Sequence, residues 1–237
     1  MDATVCLQLT EVRLDMGALQ RTLADALGPD TGVACADVRG DPLQLWPAER
    51  AAIGRAVPRR QREFAAGRAS ARAALGQIGV PAQAIPSSPD RAPVWPAGTT
   101  GSITHNARVC VAIAKRRTRC QSVGIDLEDE GAIEPALWEG ICTPQELRLL
   151  SSLPRQKQSA CVTRLFCAKE AYYKWQYPQT RQLLDFQAVE IALTSHASRF
   201  RARATNRAPL ALPVCQQEGH LLHTQGLLLA WLTGAPA

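Results

Sequence analysis

The chain carries two long helical runs, one in each half, each accompanied by short stretches that alternate like strands. That rhythm excludes an all-helical or an all-sheet fold. Residues 59–78 place Phe64, Ala71, Leu75 and Ile78 at helical spacing, and Gly79-Val80-Pro81 ends the run. Residues 158–175 form the second run, with Leu165, Ala168, Tyr172 and Trp175 as its apolar stripe. Between them, Val109, Val111 and Ile113 alternate with Cys110, Ala112 and Ala114, then Val123, Ile125 and Leu127 with Gly124, Asp126 and Glu128. Beyond Pro178, residues 186–193, 200–204 and 227–232 read as strands, and the first fifty residues as mixed strand and turn. A helix plus several strands in each half is an α+β layout.

At 237 residues, 46% apolar and 20% charged, the chain can bury a core as one large domain or two small ones. Its most apolar stretch, residues 221–232, is interrupted by His223, Thr224 and Gln225 and is far short of the roughly 20 residues a membrane span needs. Met1-Asp2-Ala3-Thr4 opens without a basic segment and apolar run, so a cytoplasmic protein is expected. The eight cysteines show no Cys-x-x-Cys pair, which argues against a zinc or redox site and for small buried side chains. Net charge is +6, and residues 1–120 hold 16 basic against 10 acidic groups, so all the excess lies in the first half. Such a half suits a polyanion or an acidic protein.

Three constellations could carry chemistry. In a strand, Asp126 and Glu128 project from one face while Ile125 and Leu127 face the core, which leaves two carboxylates on a shared surface. Two adjacent acids must take up a proton or meet a cation, and hard oxygen ligands suit Mg²⁺ or Mn²⁺; a plain amphipathic edge strand is the alternative. In Phe166-Cys167-Ala168-Lys169-Glu170-Ala171-Tyr172-Tyr173-Lys174, Glu170 and Lys174 lie one helical turn apart. They form a simple i,i+4 ion pair or, with Lys169, an acid among cations suited to a metal-bound phosphate. Third, Gly101-Ser102-Ile103-Thr104-His105-Asn106 reads as a turn whose hydroxyls, imidazole and free N–H groups could hold a phosphate oxygen.

In order, "GSITHN", "GIDLE" and "FCAKEAYYK" resemble the 4′-phosphopantetheinyl transferases, in the subgroup of enterobactin synthase component D and the surfactin-type enzymes. The stretch from Arg60 through Gly67-Arg68 to Ala71-Arg72 is similar to the subgroup's basic helix, and Asp90-Arg91-Ala92-Pro93-x-Trp95-Pro96 to its loop. The likeness covers about residues 59–174; Thr104 and Asn106 depart from the residues most frequent there.

The resemblance implies two similar α+β lobes related by pseudo-twofold symmetry, residues 1–121 and 122–237, each with a small antiparallel sheet and a long helix. Coenzyme A would lie in the cleft between them. It also implies the activity: transfer of the 4′-phosphopantetheine arm of coenzyme A to a serine of an apo acyl or peptidyl carrier protein, with release of adenosine 3′,5′-bisphosphate. By family position Asp126, Glu128 and Glu170 hold Mg²⁺, with Mn²⁺ as an alternative. Glu170 also takes the serine proton, directly or through a metal-bound water. Lys174 contacts the diphosphate, and Thr104 and His105 hold donor phosphate. Arg60, Arg68 and Arg91 grip the 3′-phosphate region, with Arg59, Arg62 or Arg72 as substitutes for Arg60 and Arg91. The partner is an acidic carrier protein of a siderophore (enterobactin-like), other nonribosomal peptide, polyketide or fatty acid pathway, and the enzyme acts as a monomer. Two rival readings stand beside this one. A Mg-dependent nuclease or phosphohydrolase could use the same acids. A basic nucleic-acid module would leave those acids idle, and 5% aromatic residues provide few stacking platforms for bases.

Overall fold

The computed structural model describes residues 14–117, 122–194, 198–208 and 216–234. Cys6, Cys120, Cys215, His196 and the lobe boundary at Gln121 lie outside the described residues. The architecture is α+β. Strands β1 (Thr31–Asp37), β2 (Thr99–His105) and β3 (Val109–Arg116) form an antiparallel sheet in the order β1-β3-β2. Strands β4 (Ser122–Asp129), β5 (Val189–Leu193), β6 (Arg199–Ala204), β7 (Gln216–Thr224) and β8 (Leu227–Gly234) form a second one, ordered β4-β8-β7-β6-β5. Edge strand β2 lies beside edge strand β4, and the amide of Ile125 donates to Ser102 Oγ across the seam at 3.1 Å.

Helices α1 (Met16–Leu27), α2 (Pro47–Arg50) and α3 (Pro58–Gln77) belong to the first sheet, and α4 (Trp138–Ile141), α5 (Pro144–Ser151) and α6 (Arg155–Thr180) to the second. The alternation read in the strands decides the layering. Val33, Val109, Val111 and Ile113 of one sheet and Val123, Ile125, Leu127 and Leu229 of the other join Leu19 and Leu23 of α1 in a single core. On the opposite face, α3 covers the first sheet through Ala71, Ala74 and Leu75, and α6 covers the second through Leu165, Ala168, Tyr172 and Trp175. Tyr172 and Trp175 are essentially fully buried, and removing each from water contributes on the order of 2–3 kcal/mol.

Both units share one connectivity, a strand, a long helix and a final hairpin whose second strand pairs with the first strand; the second unit adds β5 and β6 between helix and hairpin. In each, one glycine admits the helix. A Cβ at Gly32 would lie 1.9 Å from the Ala74 carbonyl oxygen, and one at Gly124 2.1 Å from that of Ala171.

The structure departs from four expectations. The first fifty residues contain helix α1, capped by Asp15, whose carboxylate accepts from the Ala18 amide, and anchored by Leu19 and Leu23 one turn apart. Residues 101–105 lie in strand β2 rather than a turn, because Gly101 to His105 pair with Ala114 to Cys110 of β3. Helix α6 runs past Pro178 to Thr180: the proline removes only the ladder bond to the Lys174 carbonyl, and beyond it the Gln179 side chain donates to the Trp175 carbonyl and the Arg181 amide closes on Tyr177. Finally, the Asp126 face of β4 is not a solvent surface, since α6 and β2 cover it.

Candidate functional site

A cleft of about 450 Å³ opens where α3, β2, β4 and the end of α6 meet. Asp126 sits at its floor, 4% exposed, because Gly124 two residues earlier lets α6 close down on β4. Lys174 Nζ donates to Asp126 Oδ1 at 2.6 Å and Thr104 Oγ1 donates to the same oxygen at 2.9 Å. Asp126 Oδ2 is buried without a hydrogen-bond partner. Burial opposes the Lys174 ammonium, but Asp126 and Glu170 outweigh it and hold its pKa above the ordinary value. Lys174 therefore pairs across to the strand rather than along its helix to Glu170. Thr104 spends its one proton on Asp126, so in this arrangement it orients the carboxylate.

Glu128 and Glu170 are half-buried and share that environment. Burial first, and the Asp126 charge second, push the Glu128 carboxyl up to about 7. Burial and Asp126 also raise Glu170, against the pull of Lys174. Among the described residues no three Asp, Glu, His or Cys side chains stand close enough to ring a metal ion. Asp126 lines the cleft, whereas Glu170 borders a neighbouring hollow of about 300 Å³ with Tyr173, Leu184 and Phe186. The donor set still fits a divalent cation: three hard carboxylates, mutually repelling, with one buried oxygen unsatisfied.

Lys169, next to Glu170 in sequence, takes no part. Buried, it donates to Glu146 Oε2 at 2.7 Å and to the Ile141 and Phe186 carbonyls, both at 2.8 Å. Glu146 completes this clasp by accepting the Thr143 and Ile191 amides, each at 2.7 Å.

The opposite wall is cationic. Arg68 is 5% exposed; its guanidinium stacks over Phe64 at 4.2 Å and donates to Ser87 Oγ at 2.9 Å. Its Nε has no partner, no carboxylate stands within ion-pair distance among the described residues, and burial pulls its pKa down to about 10. A buried guanidinium this poorly matched is a ready site for an anion. Arg60 Nη1 lies 3.0 Å from His105 Nε2 and 3.4 Å from Glu63. Since Arg only donates, His105 accepts there as the neutral ring, in keeping with a pKa lowered by burial. Arg91 reaches the cleft from a loop residue with φ of 68°. Of the substitutes considered, Arg72 is held by Glu49 at 2.6 and 2.7 Å and Arg59 by Glu63 at 2.8 Å.

The cleft thus gathers Arg60, Arg68, Arg91, Thr104, His105, Asp126 and Lys174, with Glu128 and Glu170 coupled to it by charge. Sequence reading quoted Asp90, Trp95 and Tyr173 inside motifs without giving them a role, and missed Tyr177 and Arg181. The Tyr173 and Tyr177 rings, stacked at 5.5 Å, could have been found from their spacing beside Lys174; Asp90 meets Tyr177 across 87 residues and left no local signal. Asn106 instead ties the units together, donating to Asp129 at 3.0 Å.

Residues 48–115 match the model of the 4′-phosphopantetheinyl transferase N-terminal domain, and residues 122–227 that of the 4′-phosphopantetheinyl transferase superfamily. The chain is 37% identical over 179 residues to 4′-phosphopantetheinyl transferase Svp of Streptomyces mobaraensis, covering 75% of this chain and 73% of Svp. It is 35% identical to 4′-phosphopantetheinyl transferase PptT of Mycobacterium tuberculosis, over 74% of this chain and 78% of PptT. Enterobactin synthase component D of Escherichia coli is 29% identical, over 73% and 85% of the two chains.

Proposed function

The chain belongs to the 4′-phosphopantetheinyl transferase superfamily, and from that membership we propose that it moves the phosphopantetheine arm of coenzyme A onto a serine of an apo carrier protein, releasing adenosine 3′,5′-bisphosphate. The observation that carries this reading is one cleft holding both an unmatched buried guanidinium, Arg68, and a buried carboxylate with a free oxygen, Asp126. A donor bearing about four negative charges asks for that combination. The two-lobe division at residue 121, action as a monomer and a cytoplasmic setting belong to the same reading. Among the described residues no helix is long and apolar enough to cross a membrane.

Arg60, Arg68 and Arg91 grip the 3′-phosphate region, and planar guanidinium groups suit phosphate oxygens. His105 holds donor phosphate, and Thr104 does so once its proton turns from Asp126. Lys174 leaves Asp126 for the diphosphate and offsets the charge of the departing bisphosphate. Asp126, Glu128 and Glu170 would hold Mg²⁺ or Mn²⁺, which when bound screens the diphosphate and stabilises the leaving group. Glu170, its carboxyl raised by burial, accepts the proton of the incoming serine hydroxyl directly or through a metal-bound water. The basic first half attracts both the anionic donor and an acidic carrier protein of a siderophore, other nonribosomal peptide or polyketide pathway.

Incubation with coenzyme A, Mg²⁺ and apo carrier proteins of these classes tests the proposal. A carrier mass gain of about 340 Da is expected; hydrolysis of coenzyme A with no gain on any carrier would overturn it. Arg68→Ala should weaken coenzyme A more than 3′-dephospho-coenzyme A, and equal losses would remove Arg68 from the 3′-phosphate site.

A further inference from the structure

The mouth of the cleft is bridged by residues that neither the acid pattern nor the basic helix supplies. Asp90, in the loop before β2, meets the end of α6: its carboxylate accepts the Tyr177 hydroxyl and lies 3.4 Å from Arg181 Nη1. The other carboxylate oxygen accepts the Ser88 hydroxyl and the Ala92 amide, the latter at 3.3 Å, which fixes the loop. The Ser88 and Tyr177 hydroxyls hold the Asp90 carboxyl down at about 2, so it is ionised throughout the physiological range.

Among the described residues three non-glycine residues adopt positive φ: Arg91 at 68°, Arg181 at 57° and Gln225 at 52°. Gln225 is explained by the tight turn from β7 to β8, where Gly226 follows it at φ 72°. The other two are arginines that line the cleft together with Asp90, one next to it in the loop and one at the end of α6. The left-handed region disfavours side chains, so its use at both positions is a cost the fold accepts to aim these groups. Arg181 closes α6 at a position where glycine is usual, with its amide on the Tyr177 carbonyl at 2.9 Å. Its side chain is 62% exposed and its guanidinium stands 5.8 Å from the Tyr177 ring centre, so the long Asp90 contact is its main restraint.

We propose that Arg181 is a further phosphate-binding residue of the cleft, contributed by the second unit, and that Asp90 holds it in the empty enzyme and competes with the donor for it. A phosphate entering between Arg91 and Arg181 takes the Asp90 carboxylate's place on Arg181. Asp90 keeps its turn through Ser88 and Ala92, and Tyr177 remains its partner. The inference rests on the reading of the cleft as a coenzyme A site.

Calorimetric titration of coenzyme A and 3′-dephospho-coenzyme A onto the wild type, Arg181→Gln, Asp90→Asn and the double variant tests it. Arg181→Gln should weaken coenzyme A roughly tenfold, the size of one charge-assisted contact. A matching loss with the dephospho compound would put Arg181 on the diphosphate; a loss confined to coenzyme A would put it on the 3′-phosphate. Asp90→Asn should act in the opposite direction and tighten binding several-fold, with most of that gain absent when Arg181 is also replaced. A merely structural strap predicts the reverse, because loosening the loop would weaken binding in both single variants. Weaker binding by Asp90→Asn, with thermal stability unchanged, or unaltered binding by Arg181→Gln, would overturn the inference. Failure of the wild type to bind coenzyme A at all would instead remove the reading on which it rests.

Discussion

The two sheet-and-helix units share a scaffold and differ in what it carries. In the first, Glu49 follows Trp46-Pro47 and clasps Arg72 of the long helix while accepting the Trp46 and Ile85 amides. In the second, Glu146 follows Thr143-Pro144 and clasps Lys169, accepting the Thr143 and Ile191 amides. Glutamate and cation are 23 residues apart in both. Counting from the glycine under each helix, Ala34 and Ala36 stand where the second unit has Asp126 and Glu128. Counting from each clasp cation, Ala73 and Gln77 stand where it has Glu170 and Lys174. Gln77 is spent on the Val33 backbone at 2.9 and 2.7 Å, whereas Lys174 reaches into the cleft. Scaffold and chemistry are therefore separable: four side chains distinguish an acidic, metal-suited unit from its plain counterpart, which contributes arginines instead.

The strongest way to break this comparison is at Asp126. Asp126→Asn should lower carrier modification at least about a thousandfold while keeping a hydrogen-bond acceptor for Thr104. Turnover within tenfold of the wild type would remove the carboxylate's role. Asp126→Ala is the poorer test, because it leaves the Lys174 ammonium without its partner in a largely covered position.

The clasps should show in stability. Lys169→Met leaves Glu146 buried and unpaired, and urea unfolding should register a loss of about 3–5 kcal/mol. Arg72→Met leaves Glu49, 0% exposed, unpaired in the same way and should cost a similar amount, about 3–5 kcal/mol or slightly less, since the Arg72 side chain is 12% exposed against 2% for Lys169. If Arg72→Met proved the more damaging, the equivalence of the clasps would fail. Gly32→Ala and Gly124→Ala should each destabilise by roughly 2–3 kcal/mol, since either methyl would strike a helix carbonyl; a Tm unchanged in one alone would show that its helix can move aside. The smallest effect concerns thiols. Burial pushes Cys35 and Cys110 of the first unit and Cys142 of the second up to about 12. Iodoacetamide at pH 8 should therefore leave all three unmodified in the folded protein while consuming a free thiol standard. Rapid labelling of Cys142 alone would show that the second unit opens more readily.

What the sequence made legible follows the range of the interactions. Alternation along residues 123–128 correctly separated Ile125 and Leu127 from Asp126 and Glu128, because strand geometry is local. The burial of Asp126 was not legible, since it depends on Gly124 admitting a helix some 45 residues onward and on β2 from the other unit. The turn assigned to residues 101–106 failed at 101–105 for a similar reason: those residues pair with β3, and position 101 is glycine because the Trp95 ring lies over it, with a Cβ there only 2.4 Å from ring atoms. Lys169 was grouped with Glu170 by adjacency, yet successive helical residues diverge by about 100°, so the two face different neighbours. Thr143-Pro144-Gln145-Glu146 is a capping pattern visible in the chain, but its cation lies on a different helix.

The central claim is that the donor lies where the two units meet, gripped by arginines of one and acids of the other. Hydrogen–deuterium exchange with and without coenzyme A and Mg²⁺ tests this directly. Added ligand should slow exchange together in residues 60–68, 90–95 and 101–105 and in the 170–181 end of α6. Protection confined to one unit, or centred on the separate groove lined by Arg148, Arg203 and Arg207, would contradict it.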